Sequence, residues 1–158
     1  MESQENDRNP AVEKLRAWDA EAVAEVITFR GETTVVVPVR HLRAAAEFLA
    51  SEPSLRYSFL SDITTVDRFP LEPRFEVNYH LLALERKDRL RLKVMVPGND
   101  PALPTVIPVW PTANWHEREN FDLFGIRFEG HPDLTRIVLP DDWEGHPLRK
   151  DYPVEGYR

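Results

Sequence analysis

Cysteine is absent from this chain of 158 residues. The chain therefore cannot form a disulfide, use a thiolate as a nucleophile, or hold an iron–sulfur cluster or a zinc ion through sulfur. Long hydrophobic runs are also missing: no window approaches the ~18 apolar residues of a membrane span, and residues 1–10 have neither the basic nor the apolar region of a signal peptide. We expect a protein that is soluble or peripheral to a membrane.

Basic charge and glycine are scarce as well. The 20 lysines and arginines are outnumbered by 27 acids, and the resulting net charge of -7 argues against a nucleic-acid-binding protein. With only six glycines the chain has no Gly-rich phosphate loop, and no serine lies in a Gly-x-Ser-x-Gly turn. Catalysis by this chain alone is therefore not expected.

The residues that are present predict one α+β domain. Residues 1–9 are polar and are predicted to be disordered. Apolar residues at three- and four-residue steps predict a helix that begins at Pro10 and a second helix over 40–51. β-branched residues on both sides of Arg30-Gly31-Glu32 predict a hairpin.

Three further strands are predicted, over 57–68, 74–84 and 89–96, the last two from clean alternation of apolar and polar residues. The order helix, strand, strand, helix, strand, strand, strand packs as a two-layer α/β sandwich over residues 10–96, with two helices on one face of a mixed sheet. The basic row Arg89, Arg91 and Lys93 suits a docking face or a solvated sheet face, and we favour the second.

Proline dominates the next part of the chain, since nine of the 14 prolines lie at or after Pro97. Proline removes backbone donors and excludes the helical conformation from the residue before it. We therefore predict a rigid connector without regular structure that delivers one short helix, together spanning 97–128.

That helix is predicted over about 115–124. Asn114 as N-cap and Glu117 three residues later form a candidate capping box, and Gly125 is placed to end the helix in a left-handed conformation. Arg118 and Asp122, four residues apart, form a candidate ion pair. Charges and phenylalanines interleave here, which fits a face covered by a partner protein and fits equally a surface helix anchored to its own sheet.

Histidines and acids in this part of the sequence raise a metal hypothesis, because His116, Glu117, Glu119, His131 and His146 are possible ligands. Their spacing does not support a metal site, since the sequence has no His-x-x-x-His or His-Glu-x-x-His pair. The repeated Glu-Gly-His-Pro segments instead predict turns whose histidine rings bond a nearby backbone group. Asp141 and Asp142 could also act as an acid–base pair, but the sequence around them first indicates a turn or the start of a helix.

The last part, residues 129–158, is predicted to be an extended tail. An extended segment has few hydrogen bonds of its own, so we expect its order to come from lying on another surface. Arg149 is the best candidate anchor, because a guanidinium can hold a carboxylate through two hydrogen bonds.

Three motifs together resemble the 30 kDa subunit family of bacterial NADH:quinone oxidoreductase, respiratory complex I. They are Glu117-Arg118-Glu119 followed by Asp122 to Ile126, then GHPDL at 130–134, then LPDDWEGHPLRKDYP at 139–153. The resemblance is close over most of 104–153 and extends to residues 10–96 only as the order of elements. Asn120 and Thr135 depart from the family pattern, which has a small or β-branched residue and a basic residue there.

The resemblance implies a structural, non-redox subunit of the peripheral arm, on the cytoplasmic side of the bacterial inner membrane. It implies no catalytic residue, cofactor or metal on this chain, within a complex that uses FMN, iron–sulfur clusters and quinone. The implied partners are the hydrogenase-like large subunit that forms the quinone cavity and adjacent iron–sulfur subunits. The residues expected to contact them are Glu117, Arg118, Glu119, Asp122, Phe124, His131, Arg136, Trp143, His146, Arg149, Lys150, Asp151 and Tyr152.

Two other functions stay open from the residues alone. One is a stand-alone metalloenzyme with histidine and carboxylate ligands. The other is a general protein-interaction module outside respiration, for which the sandwich would suffice.

Overall fold

The computed structural model describes residues 9–157. Its first helix, α1 (Pro10–Trp18), begins at a proline, which is favoured at the first position of a helix. Asn9 caps the helix by accepting a hydrogen bond from the N–H of Ala11. The predicted disordered segment 1–9 lies outside the described residues, apart from Asn9. A hairpin follows, formed by β1 (Glu25–Phe29) and β2 (Glu32–Val36).

The second helix, α2 (Leu42–Ser51), buries one stripe formed by Leu42, Ala45, Ala46 and Leu49. Three nine-residue strands complete the sheet: β3 (Phe59–Asp67), β4 (Phe75–Ala83) and β5 (Asp88–Val96). The spatial order is β1-β2-β5-β4-β3. Only the β2–β5 pair is parallel, so the sheet is mixed, as predicted.

The two faces of this sheet differ in the way that the alternation predicts. Inward residues such as Val77, Tyr79 and Leu92 are fully buried beneath the helices. On the open face Arg91 pairs with Glu32 at 2.8 Å and Lys93 with Glu76 at 3.2 Å. The basic row is therefore partly neutralised by neighbouring acids, which is typical of a solvated sheet face.

The connector contains regular structure that was not predicted. The short strand β6 (Ala102–Pro104) pairs in parallel with β7 (Arg127–Glu129), on either side of the third helix, α3 (Ala113–Phe124). The prolines were expected to exclude a strand here. A strand still forms because Pro104 is its last residue, so Ala102 and Leu103 keep their backbone N–H donors. Within residues 9–157, no helix is long and apolar enough to cross a lipid bilayer.

The α+β sandwich with a third helix and an extended end confirms the predicted fold class. The division of the chain at residues 97 and 129 stays a prediction, and contacts cross both boundaries. Arg74 of the sandwich bonds Asp151 near the end of the chain, and Thr65 on β3 bonds Asn120 on α3.

Candidate interaction site

Helix α3 covers the outer edge of β3, which is the last strand of the sheet. Asn120 donates a hydrogen bond to the carbonyl of Ile63 at 2.8 Å and accepts one from the hydroxyl of Thr65 at 2.7 Å. An uncovered strand edge presents unpaired backbone groups to other chains. The amide of Asn120, a departure from the family pattern, satisfies one of those groups.

Glu117 lies in the core instead of in a capping box. Its carboxylate accepts hydrogen bonds from the hydroxyl of Thr105 at 2.6 Å and from the N–H of Val106 at 2.8 Å, and the residue has no exposed surface. The capping-box prediction is wrong because α3 begins two residues earlier than predicted, at Ala113. The first amides of the helix are satisfied by backbone carbonyls of the preceding turn.

The pKa of Glu117 is raised to about 7, because burial disfavours the charged carboxylate more than the bonds from Thr105 and Val106 favour it. In the unfolded chain the group titrates near 4.5. Between these pH values only the folded protein keeps the proton, so the stabilisation is fully present below about pH 4.5 and is lost as the pH rises through about 7.

We expect Glu117→Gln to abolish about 2 to 3 kcal/mol of pH dependence in the free energy of unfolding between about pH 5 and about pH 8. The amide keeps an acceptor for Val106 and cannot ionise. Urea unfolding of both proteins at a series of pH values, with a chelator present, measures this difference. Parallel pH curves for the two proteins would contradict the assignment, and Glu144→Gln on the surface is the control.

Asp122, also without exposed surface, holds the segment that follows α3 and β7, here called the strap and defined as residues 130–157. One oxygen of Asp122 accepts hydrogen bonds from three successive backbone amides, those of Ile137, Val138 and Leu139, at 2.7 to 3.0 Å. The other oxygen accepts from the guanidinium of Arg136 at 2.6 Å. Burial alone would raise its pKa, but these hydrogen bonds outweigh burial and lower the pKa of Asp122.

The predicted ion pair between Arg118 and Asp122 is therefore not formed. Arg118 donates instead to the carbonyl of Arg136 and to both the carbonyl and the hydroxyl of Thr135. The pairing rule for helices failed because Asp122 faces the strap's backbone donors, which offer it more hydrogen bonds than one arginine on the same helix could.

Gly125 ends α3 with a φ of +73°, as predicted. A β-carbon at this position would lie 2.6 Å from Cδ2 of His146 and 2.8 Å from Nη2 of Arg149. Both side chains bond carbonyls at the end of α3: His146 that of Asp122, and Arg149 that of Phe124. Glycine here allows the strap to lie directly against the end of the helix.

The end of the strap is fixed to the sheet by an arginine between two acids. Arg74, which is 7% exposed, bonds both oxygens of Asp67 at 2.8 Å and reaches Asp151 at 2.6 Å. Asp67 also accepts from the backbone N–H of Lys150 at 2.8 Å. The strap is thus joined to the sheet near its end and to α3 closer to its start.

The strap lies on another surface, as expected, and in this structure that surface is formed by α3 and the sheet of the same chain. The expectation counted backbone-to-backbone hydrogen bonds, of which an extended segment has few. It missed that buried carboxylates, arginines and histidines can take up backbone groups instead. Tyr152 adds a bond from its hydroxyl to the carbonyl of Glu144, and its ring packs edge-on against Tyr157.

Sequence reasoning missed Asp67 and Arg74, which are central to the strap's attachment. A signal was present: in β3 the inward positions run Ile63, Thr65, Asp67, so an acid stands where the alternation predicts an apolar residue. An acid at an inward strand position indicates a buried cation nearby. Nothing in the sequence says that the cation is Arg74 and that Asp151 joins them.

The five residues of the metal hypothesis do not converge on one point. His131 bonds the carbonyl of Asn114 and the N–H of Asp133, and His146 bonds the carbonyl of Asp122, as predicted for turn histidines. Glu117 lies 4.0 Å from His131 with both side chains buried. His116 and Glu119 face a different side of α3, beside Asp62.

The residues predicted to contact partner proteins fall into two groups. Asp122, His131, Arg136 and His146 are buried or half-buried and hold the strap in place, whereas Glu117 is buried and bonds Thr105 and Val106 in the core. Glu119, Trp143, Lys150 and Asp151 are exposed, and Arg118, Phe124, Arg149 and Tyr152 are half-buried. Their contact with a partner stays a prediction.

Hydrophobic side chains of α3 and the strap point away from the protein. Seven of the fourteen large hydrophobic residues that are exposed within residues 9–157 lie in the stretch 115–157. Several charged side chains of the stretch are bonded within the chain, and these apolar side chains face solvent. Exposed apolar side chains of this kind are common at protein–protein interfaces. These seven residues, here called the apolar strap surface, are Trp115, Ile137, Val138, Trp143, Leu148, Val154 and Tyr157.

The chain is similar to known proteins over most of its length. The family described as "Respiratory-chain NADH dehydrogenase, 30 Kd subunit" matches residues 35–158, which include most of the sheet, α3 and the strap. This chain belongs to that family. A subunit of the NADH-quinone oxidoreductase of Geotalea uraniireducens is 50% identical over 95% of this chain and 90% of its own length. The subunit of the same name from a Roseiflexus species is 47% identical over 94% of this chain and 85% of its own length.

Similar solved structures share the fold of this chain. A trypsin-resistant fragment of Nqo5 is 37% identical, covers 78% of this chain and 96% of its own, and superposes with a TM-score of 0.63. A chain of the membrane-bound sulfane sulfur reductase, an archaeal respiratory membrane complex, is 27% identical and covers 98% of this chain and 87% of its own, with a TM-score of 0.76. Family membership confirms the resemblance seen in the sequence motifs.

Proposed function

We propose that this chain is a structural, non-redox subunit of the peripheral arm of a proton-translocating NADH:quinone oxidoreductase. In this proposal it braces the hydrogenase-like large subunit that forms the quinone cavity, contacts adjacent iron–sulfur subunits, and lies on the cytoplasmic side of the membrane. FMN, the iron–sulfur clusters and quinone are bound by other subunits. The chain contributes no thiolate to a cluster, because it has no cysteine.

The observation that carries the proposal is the apolar strap surface. Side chains such as Trp143 and Val138 are 41% and 57% exposed, while the backbone beside them is fixed by Asp122 and Arg136. A rigid segment with outward apolar side chains loses little conformational entropy when a partner covers it. Aromatic residues at the centre of such surfaces contribute most to binding.

The proposal separates residues that hold the strap from residues that would bind a partner. Arg118 and Arg149 bond backbone carbonyls of this chain, so their removal would disturb the strap before it disturbed any interface. Trp143 is 41% exposed, and its hydrogen bonds to Pro140 and Arg136 use only its backbone. Replacing Trp143 therefore tests the surface with little effect on the fold.

The test is assembly in membranes of a host strain whose own subunit is replaced by Trp143→Ser. We expect the variant to fold normally and to lower the amount of assembled complex and its NADH:quinone activity at least about tenfold, as loss of a central aromatic contact predicts. Phe29→Ser is the matched control, because Phe29 is a large hydrophobic residue, 68% exposed, on the distant β1–β2 hairpin. Normal assembly of Trp143→Ser, or equal loss with Phe29→Ser, would count against the proposal.

A further inference from the structure

Three side chains with metal-binding chemistry meet where α3 covers the edge of β3. Asp62 lies on β3, and His116 and Glu119 lie three residues apart on one side of α3. One carboxylate oxygen from each acid and one ring nitrogen of His116 lie within 4.8 Å of one another. We propose that Asp62, His116 and Glu119 bind one divalent transition-metal ion such as zinc.

The distances suit such an ion. Zinc bonds to nitrogen and oxygen are about 2.0 to 2.2 Å long, so two ligand atoms of a tetrahedral site are roughly 3.3 Å apart. Nδ1 of His116 and Oδ1 of Asp62 are already 3.1 Å apart. Glu119 is exposed, and its carboxylate would have to move closer for all three atoms to reach bonding distance of one ion.

The two elements that carry the ligands are held together independently of a metal. Asn120, next to Glu119 on α3, bonds Ile63 and Thr65 on β3 and also the carbonyl of His116. The N–H of Ile63 donates to Oδ1 of Asp62 at 2.8 Å, which orients that carboxylate. A fixed strand and a fixed helix thus present the ligands in advance, which is what metal affinity requires.

The ligand set decides which ions are favoured. One imidazole and two carboxylates suit zinc and neighbouring divalent transition metals, whereas magnesium and calcium prefer oxygen ligands alone. Three protein ligands leave at least one position for water. A cavity of about 220 Å³ is lined in part by Asp62 and Glu119 and provides that space.

A second group on the same protein has similar residue types in a different arrangement. Nδ1 of His41 lies 2.9 Å from Asp19 and its Nε2 lies 3.7 Å from Glu21, so the two acids approach opposite sides of the ring. Arg40 also donates a hydrogen bond to Nε2 at 2.8 Å. This group does not direct its ligand atoms to a common point, and His41 therefore provides the matched control.

The experiment is calorimetric titration of the metal-free full-length chain with zinc. We expect one ion per chain with a dissociation constant in the micromolar range or below, unaffected by a roughly hundredfold excess of magnesium. His116→Gln should weaken binding at least about tenfold, and Asp62→Asn should do the same if the histidine variant proves unstable. His41→Gln should leave the dissociation constant within about twofold of the wild type.

If His41→Gln weakened zinc binding as much as His116→Gln, the assignment would be overturned, because the zinc would then bind to separate surface histidines and not to one site. Binding that survives both His116→Gln and Asp62→Asn would overturn it as well. A positive result would replace the expectation that this chain holds no metal. That expectation weighed His116 and Glu119 without Asp62, which is 54 residues away from the histidine in the sequence.

Discussion

Asp122→Ala is expected to destabilise the folded chain by about 3 to 5 kcal/mol, the range for breaking a buried ion pair by removing one partner. The substitution leaves the guanidinium of Arg136 without its carboxylate and three successive backbone amides of the strap without an acceptor. Urea unfolding near pH 7 measures the change. The strap should also become the first site of cleavage in limited proteolysis.

Two variants test whether the buried carboxylate is the cause. Asp122→Asn keeps the shape and one acceptor but leaves Arg136 unneutralised, so its stability should lie between those of the wild type and Asp122→Ala. Asp141→Ala removes an exposed acid of the strap and should change the free energy of unfolding by less than about 0.5 kcal/mol. If Asp122→Ala cost no more than Asp141→Ala, Asp122 would not be what holds the strap.

Arg74→Ala is expected to cost a similar amount, about 3 to 5 kcal/mol, because it leaves the fully buried side chain of Asp67 without a cation. Burial by itself would raise the pKa of Asp67, but hydrogen bonds from Arg74, Lys150 and Phe69 together hold it well below its usual range. That stabilisation is present above the unfolded pKa near 3.8 and is lost as the pH falls below it. Unfolding by urea at pH 7 and at about pH 3 measures both effects, and the variant should lose less stability on acidification.

Arg68→Ala is the control for this substitution. Arg68 lies next to Asp67 in the sequence, and its ion pair with Glu76 spans 3.6 Å with both side chains partly exposed. Its removal should cost less than about 1 kcal/mol. Asp151→Ala should also cost less than Arg74→Ala, because Asp151 is 44% exposed and Asp67 keeps its arginine. Equal effects of Arg74→Ala and Arg68→Ala would show that burial does not set the cost.

The local pattern of the sequence was sufficient for most of the sandwich. Alternation over 74–84 and 89–96 predicted β4 and β5 to within two residues, and the turn at Arg30-Gly31-Glu32 placed the hairpin. These predictions succeed because apolar period and turn chemistry are properties of neighbouring residues. The predicted start of α3 was late by two residues, because the backbone of the turn before it replaced the expected side-chain cap.

The sequence by itself determined that the chain is an α+β protein without thiol chemistry, that the region 115–153 carries its distinctive residues, and which family those residues resemble. Tertiary structure alone decided what the charged residues of that region contact. Glu117 bonds Thr105, Asp122 bonds the backbone at 137–139, and Asp62 meets His116, each across a gap in the sequence that no helical or strand period spans. The physical reason is that a buried charge must find partners wherever the fold brings donors together, and the fold sets those distances only when the whole sheet has formed.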